Sequence, residues 1–238
     1  MKIAVLGGSF NPVHAGHVAL AKSVCDELGY DRLLFIPTFY PPHKIIGDAP
    51  SDEDRIKMLS LVCLSDSRFE VECCELERKG ISYTWDTVCF LEQKYSECLS
   101  AKIGLVLGQD LAAEYYKWKN AEYLAQKTDI ILARRPEEIL PSKIDSSKVG
   151  FLNAGVENRS PKEEAAVNVP RGPYTGVRAS DQMLEDFPYP HRILKNPLLP
   201  VSSTQIRQKI SSGQDWRDLV PFEVYCYIRK RKLYGCKA

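Results

Sequence analysis

The sequence predicts an α/β fold, a doubly wound parallel sheet in a three-layer α/β/α arrangement. Three observations carry this reading. Short apolar runs alternate with amphipathic stretches along most of the chain. The first run, Lys2-Ile3-Ala4-Val5-Leu6, has four apolar residues in succession, as a parallel strand covered on both faces requires. It passes straight into a glycine-rich turn, Gly7-Gly8-Ser9-Phe10-Asn11-Pro12-Val13-His14-Ala15-Gly16-His17, and the turn passes into a helix.

That helix is expected over His17–Leu28, because Val18, Ala21, Cys25 and Leu28 recur at helical spacing and Gly29 offers a left-handed cap. Strands are expected at Leu33–Ile36, Phe69–Cys73, Ile103–Leu107, Asp129–Ala133 and near Arg192–Lys195, each a short run rich in apolar residues. Between them, a helix over Asp52–Leu64 has its N-cap at Ser51 and Asp52 and a buried stripe of Ile56, Leu59 and Cys63. Further helices are expected over Thr84–Tyr95, Leu111–Trp118, Ala121–Gln126, Thr204–Ser212 and Phe222–Arg231. Residues 137–190 break the alternation with prolines and charges and read as a long loop or insertion within a single domain spanning 1–238.

Composition narrows the function. A chain of 238 residues can bury a substantial core. A net charge of +1 supplies no field to recruit nucleic acid or an acidic membrane. No run of 18 apolar residues is present, and the first residues are too short a leader for a signal peptide. The eight cysteines form no Cys-x-x-Cys pair and read as reduced thiols in a cytoplasmic protein. The basic run Arg229-Lys230-Arg231-Lys232 ends a helix, where cations complement its dipole.

The glycine-rich turn carries the chemistry. Where a strand ends and a helix begins, backbone N–H groups lack partners and the helix dipole favours an anion. His14 and His17, three apart, share one side of the helix start and can donate to phosphate oxygens. Other glycine motifs do not fit. The spacing is not Gly-x-Gly-x-x-Gly, Asn11 breaks Gly-x-Ser-x-Gly, and no Gly-Lys-Ser/Thr follows.

Three more segments fall at strand ends or helix starts. Pro41-Pro42-His43-Lys44 is a stiffened loop presenting a histidine and a lysine. Gly108-Gln109-Asp110 follows the fourth strand and sets an acid where ribose hydroxyls bind, or where an acid caps a helix. Val201-Ser202-Ser203-Thr204-Gln205-Ile206-Arg207 opens a late helix with hydroxyl caps and a guanidinium one turn in.

Together these segments resemble the HxGH nucleotidyltransferase superfamily. Its paired signatures are Gly-x-Phe-x-Pro-x-His-x-Gly-His and Ser-Ser-Thr-x-Ile-Arg. Within it, the similarity is to bacterial nicotinate-nucleotide adenylyltransferases. Glu77-Arg78-Lys79-Gly80-Ile81-Ser82-Tyr83-Thr84 with Asp86-Thr87, Trp118 after Gly108-Gln109-Asp110, and Arg134-Arg135-Pro136 mark that branch. Asn11 stands where many members carry Asp, and the 137–190 segment looks long for the family. Class I aminoacyl-tRNA synthetases share the histidine motif, but this chain is too short for one and lacks their second loop.

The resemblance implies the Rossmann-like nucleotidyltransferase fold and transfer of AMP from ATP to nicotinate mononucleotide. His14, His17, Lys44 and Arg207 would be catalytic. Gly8, Ser9, Gly108, Asp110, Ser203 and Thr204 would join His14, His17 and Arg207 around ATP. Ser9, Phe10, Lys44, Tyr83, Thr84, Trp118 and Arg135 would surround the mononucleotide. Magnesium would arrive with ATP, with no metal site of the protein's own, and the partners would be small molecules, not nucleic acid or membrane.

Overall fold

The computed structural model describes residues 1–39, 50–134 and 184–237. Six strands, β1 (Ile3–Gly8), β2 (Arg32–Pro37), β3 (Phe69–Val71), β4 (Ile103–Gly108), β5 (Thr128–Ala133) and β6 (His191–Leu194), form one sheet. Their order is β3-β2-β1-β4-β5-β6 and every pairing is parallel. Described helices are α1 (Ala15–Leu28), α2 (Asp52–Cys63), α3 (Cys74–Arg78), α4 (Thr84–Lys94), α5 (Gln109–Glu114), α6 (Ala121–Lys127), α7 (Ser203–Ser211) and α8 (Phe222–Arg231).

The strand alternation sorts side chains into two cores, one per face of the sheet. Ala4, Leu6, Leu33 and Phe35 meet α1, α2, α7 and α8 on one face. Ile3, Val5, Leu34 and Ile36 meet α4, α5 and α6 on the other. A sheet covered on both sides explains strands that are apolar throughout. Gly29, at φ 64°, ends α1 in the left-handed conformation expected of it.

Several expected bounds move. α1 begins at Ala15, two residues early, because His14 takes the N-cap position. The third strand stops at Val71, and Cys74–Arg78 makes a short helix absent from the periodicity reading, since five residues are too few to show a period. The stretch over Leu111–Trp118 splits into α5 and a 3-10 turn, Tyr115–Lys117, ending at Trp118. On α2, Ser51 is the N-cap, with its Oγ accepting from Asp54 N at 3.1 Å. The buried side is Asp54, Arg55, Met58, Leu59 and Val62, not a stripe through Ile56 and Cys63, which stay half-buried. Two of those buried residues are charged, which an apolar template cannot anticipate. The expected insertion at 137–190 lies outside the described residues up to 183.

The chain reverses its direction of travel across the sheet at β1 and β4, and a ligand crevice is expected there. β1 pairs with β4 only at Ala4–Gly104 and Val5–Leu105. By contrast, β1–β2 and β4–β5 pairing runs on to Gly8 and Gly108. The C-terminal halves of β1 and β4 therefore part. Gly7, on an inner strand of a six-stranded sheet, is exposed, with open space where a side chain would stand.

Candidate active site

Beyond Gly8 the chain turns through Ser9 and Phe10, and Phe10 takes a left-handed φ of 44°. A bulky residue there is a backbone outlier that surrounding contacts must hold. Its ring is buried, 5.0 Å edge-on from His17 and 5.7 Å from Phe35. Sequence reading gave Phe10 only its backbone N–H; the structure shows its ring as the floor beneath His17.

The two histidines stack, with ring centroids 3.7 Å apart and planes 26° from parallel. His14 N donates to His17 Nδ1 at 3.2 Å. This is the half of a capping box in which the third helical residue accepts from the N-cap backbone. With Nδ1 accepting, the ring's proton sits on Nε2, which makes that nitrogen a donor. Gly16 makes the packing possible: a Cβ there would lie 3.1 Å from the His14 ring and from Val201 Cγ1.

Val201 belongs to the segment that leads into α7, so the two signature segments touch. Ser203 Oγ donates to Pro12 O at 2.9 Å. Arg207 Nη1 donates to Asn11 O at 2.7 Å, and Nη2 to Thr204 Oγ1 at 3.2 Å. Ser202 is the N-cap, accepting from Gln205 N. The Ser203 O–H is thus committed to the turn, whereas Thr204 Oγ1 accepts from Arg207, a bond that leaves its own O–H uncommitted. α7 thus begins with the backbone N–H groups of Ser203 and Thr204 and carries a guanidinium one turn in, the donors by which a helix start suits an anion.

On the far side of the crevice, Gly108 ends β4 and caps α5, with Asp110 exposed in the first turn. Tyr83 is the N-cap of α4 and caps it with no side-chain hydrogen bond, and Thr84 is its first residue. Trp118 is half-buried, its ring 5.3 Å from that of the buried Tyr115. Lys119 bridges these two parts: Nζ lies 3.0 and 3.1 Å from the Asp86 carboxylate oxygens and 4.8 Å over the Tyr83 ring. Lys44 and Arg135 lie outside the described residues, as do Pro41, Pro42 and His43.

Sequence reasoning missed several supporting residues. Asn196, buried, clamps the end of β5 through Oδ1, which accepts from Arg134 N at 3.0 Å, and Nδ2, which donates to Arg134 O at 3.1 Å. Arg55 reaches the turn from α2. Asp54 gathers hydrogen bonds from Tyr227 Oη (2.7 Å), Ser51 Oγ (3.1 Å) and Arg231 Nε (3.2 Å). Burial pushes the Asp54 carboxyl up, but those bonds outweigh it and hold it below the ordinary range. Arg231 of the basic run is therefore an ion-pair partner within the fold.

Several cysteines pack as small apolar side chains. Burial raises the Cys25 thiol to about 11 and those of Cys63 and Cys74 to about 12, far from the thiolate that reacts. Among the described residues no group of three His, Cys, Asp or Glu could hold a metal ion, and no helix is long and apolar enough to cross a membrane.

Comparison with known proteins agrees with this geometry. The cytidylyltransferase-like family matches residues 5–209, from within β1 to within α7, and so includes both the histidine turn and the start of α7. The chain belongs to that family. Among its relatives, the probable nicotinate-nucleotide adenylyltransferase of Treponema pallidum is 36% identical over 234 residues, covering 98% of this chain and 99% of its own length. That of Neisseria meningitidis serogroup B is 32% identical over 233 residues, covering 98% of each. At this identity and coverage the chain is also a member of the nicotinate-nucleotide adenylyltransferase group. The solved Plasmodium falciparum nicotinic acid mononucleotide adenylyltransferase, complexed with NaAD, shares the fold at a TM-score of 0.68. It is 16% identical, and the match covers 99% of this chain and 98% of that one. In this chain, the histidine turn and the start of α7 sit together beyond the C-terminal end of β1.

Proposed function

We propose that this chain transfers AMP from ATP to the 5′-phosphate of nicotinate mononucleotide, forming deamido-NAD and releasing pyrophosphate. The observation that carries the proposal is the joint between the histidine turn and α7. Two helix N-termini, two histidines and one guanidinium converge through Ser203–Pro12 and Arg207–Asn11 beside the crevice between β1 and β4. Such a set of donors suits a polyphosphate.

The attacking group would be a phosphate oxygen of the mononucleotide, already anionic near neutral pH. It forms a bond to the α-phosphorus of ATP as the bond from that phosphorus to the pyrophosphate oxygen breaks. No general base or covalent intermediate is needed, so the protein's work is positioning and charge stabilisation. His17, donating through Nε2, and His14 beside it would hold ATP phosphate oxygens as charge develops. Arg207, the α7 N–H groups and Lys44 would take the departing pyrophosphate, with Ser203 and Thr204 shaping that helix start. Gly8 and Ser9 line the turn, and the N–H groups of Ser9 and Phe10 would hold the mononucleotide phosphate. Gly108 and Asp110 would meet the adenosine ribose. The site's donors suit anionic oxygen better than a hard cation, so the divalent ion that accompanies ATP, magnesium, would be carried by the phosphates themselves. Its role is to neutralise phosphate charge.

The start of α4 supports the acceptor choice. Tyr83 gives it no side-chain cap, Asp86 N and Thr87 N donate to Tyr83 O, and the N–H groups of Thr84 and Trp85 at the helix start would favour a carboxylate over an amide. Trp118 would stack on the pyridine ring, and Arg135 would add charge. The thiol chemistry fits a cytoplasmic enzyme.

Pyrophosphate release from ATP, measured across a panel of acceptors, tests the reading. The nicotinate form should exceed the nicotinamide form in kcat/KM by at least about tenfold, a modest demand for one mispaired buried polar group. Trp118→Ala should weaken both acceptors and leave their ratio unchanged. Equal rates on the two mononucleotides would overturn the acceptor assignment.

A further inference from the structure

Arg55 stands out among the buried side chains. It lies in the first turns of α2, is 2% exposed, and carries a charge that burial makes expensive. Its guanidinium is divided between two partners. Nη2 meets Asp52 Oδ1 at 2.5 Å, and Nη1 donates to the carbonyl oxygen of Ser9 at 2.9 Å. An apolar side chain would fill this place between α2 and the sheet without a desolvation cost. The guanidinium instead reaches across to the one turn that the proposed chemistry depends on.

The consequence follows from peptide geometry. The carbonyl of Ser9 and the N–H of Phe10 belong to one planar peptide, and in a trans peptide the two point in opposite directions. The cis bond recorded in this turn is Asn11–Pro12, so Ser9–Phe10 is trans. Fixing the Ser9 carbonyl toward α2 therefore fixes the Phe10 N–H away from it. A cation on the carbonyl also polarises the peptide and strengthens its N–H as a donor. It further helps hold a turn whose next residue has a φ of 44°.

We infer that Arg55 is a positioning residue for the acceptor phosphate: it aims and polarises the Phe10 N–H without touching substrate. This rests on the reading that the Ser9–Phe10 turn holds the mononucleotide phosphate. It separates Arg55 from Arg207, which clamps the neighbouring Asn11 carbonyl and serves the departing phosphates. The two arginines should divide their effects between the two substrates.

The test compares wild type with Arg55→Met and Arg55→Lys in steady-state pyrophosphate release, varying each substrate in turn. Arg55→Met should raise the mononucleotide KM about tenfold or more while the ATP KM changes less than about twofold, as expected when one charge-assisted anion contact is weakened. Arg55→Lys, which keeps a cation within reach of the carbonyl, should recover part of that rise. Inhibition by nicotinate riboside, which lacks the phosphate, supplies the control: its inhibition constant should be the same in wild type and both variants. A purely structural role would shift riboside and mononucleotide together, or lower kcat with both KM values unchanged, and either result overturns the inference. If Arg55→Met does not fold, Arg55→Lys decides alone. A mononucleotide KM raised about threefold or more with riboside inhibition unchanged supports the inference, and an unchanged KM overturns it. Failure of the underlying reading looks different, because wild type itself would then show no mononucleotide-dependent pyrophosphate release.

Discussion

Replacing His17 by alanine and by glutamine separates two things that this residue does. Its Nδ1 accepts the N-cap N–H of His14 at 3.2 Å, and its ring stacks on that of His14 and meets that of Phe10 edge-on. The sequence alone suggests a site residue that supports no core, and hence an alanine variant whose stability changes little. The capping hydrogen bond gives that small change a size. Loss of a capping hydrogen bond costs about 1 kcal/mol. In a chain of this length that is a fall in Tm of about 2–4 °C. Loss of the Nε2 donor to a developing phosphate charge should lower kcat about 100-fold, equivalent to about 2.7 kcal/mol of transition-state stabilisation. His17→Gln discriminates between the two, since glutamine at the third helical position is the usual capping-box acceptor. It should restore most of the stability while turnover stays at least about tenfold below wild type. Urea melts and pyrophosphate release give the two numbers. Near-wild-type turnover in His17→Ala would refute the catalytic role, and wild-type stability in the same variant would refute the capping role.

Two further outcomes follow from groups outside the chemistry. Tyr234 Oη is buried and finds no hydrogen-bond partner among the described residues, and burial pushes its phenol well up despite the nearby Arg207 and Arg55. Tyr234→Phe deletes an unsatisfied polar atom and should raise stability by up to about 1 kcal/mol in urea melts; a loss of that size would show the hydroxyl to be paired. Glu75 is buried, with Thr87 Oγ1 donating to it at 2.8 Å, and burial holds its carboxyl above the ordinary 4.5 although Thr87 and Arg78 pull it down. The folded chain therefore keeps a proton that the unfolded chain has released, so stability is complete below pH 4.5 and is lost as pH rises through the folded value. Glu75→Gln keeps an acceptor for Thr87 without the titration. Its stability relative to wild type should rise as pH is taken from below 4.5 to above it, and a pH-independent difference would refute the assignment.

How much of this was legible beforehand divides along a physical line. The fold was readable because each strand's apolar run is dictated by burial on both faces, and the turn because a glycine-histidine pattern at a strand-to-helix junction admits few other purposes. Arg207 was readable as a charge one turn into a capped helix. That its guanidinium closes on Asn11 O, and that Ser203 closes on Pro12 O, was not. Backbone carbonyls are identical at every position, so a side chain whose partner is a carbonyl leaves no complementary residue in the sequence to find. Arg55 and Asn196 escaped for the same reason, their partners being the backbones of Ser9 and Arg134. Asp54 escaped because its partners, Tyr227 and Arg231, stand some 170 residues away, at separations of 173 and 177.

This blind spot falls where the proposed mechanism places its demands. A reaction whose nucleophile needs no activation asks the protein chiefly for fixed donors, and many of the donors in the turn are backbone N–H groups. A backbone donor cannot be substituted, so its direction must be set through the carbonyl of the same peptide. In this turn the carbonyls of Ser9 and Pro12, whose peptides carry the N–H groups of Phe10 and Val13, are held by Arg55 of α2 and Ser203 of α7, while Arg207 of α7 holds the carbonyl of Asn11, whose peptide with Pro12 has no N–H. Two helices distant in sequence thereby shape one loop from outside. The residues most visible as a motif are those proposed to meet the phosphates. Those that decide where the motif's N–H groups point lie outside it, and Arg55, buried beneath the turn, is the one whose substitution tests that division most directly.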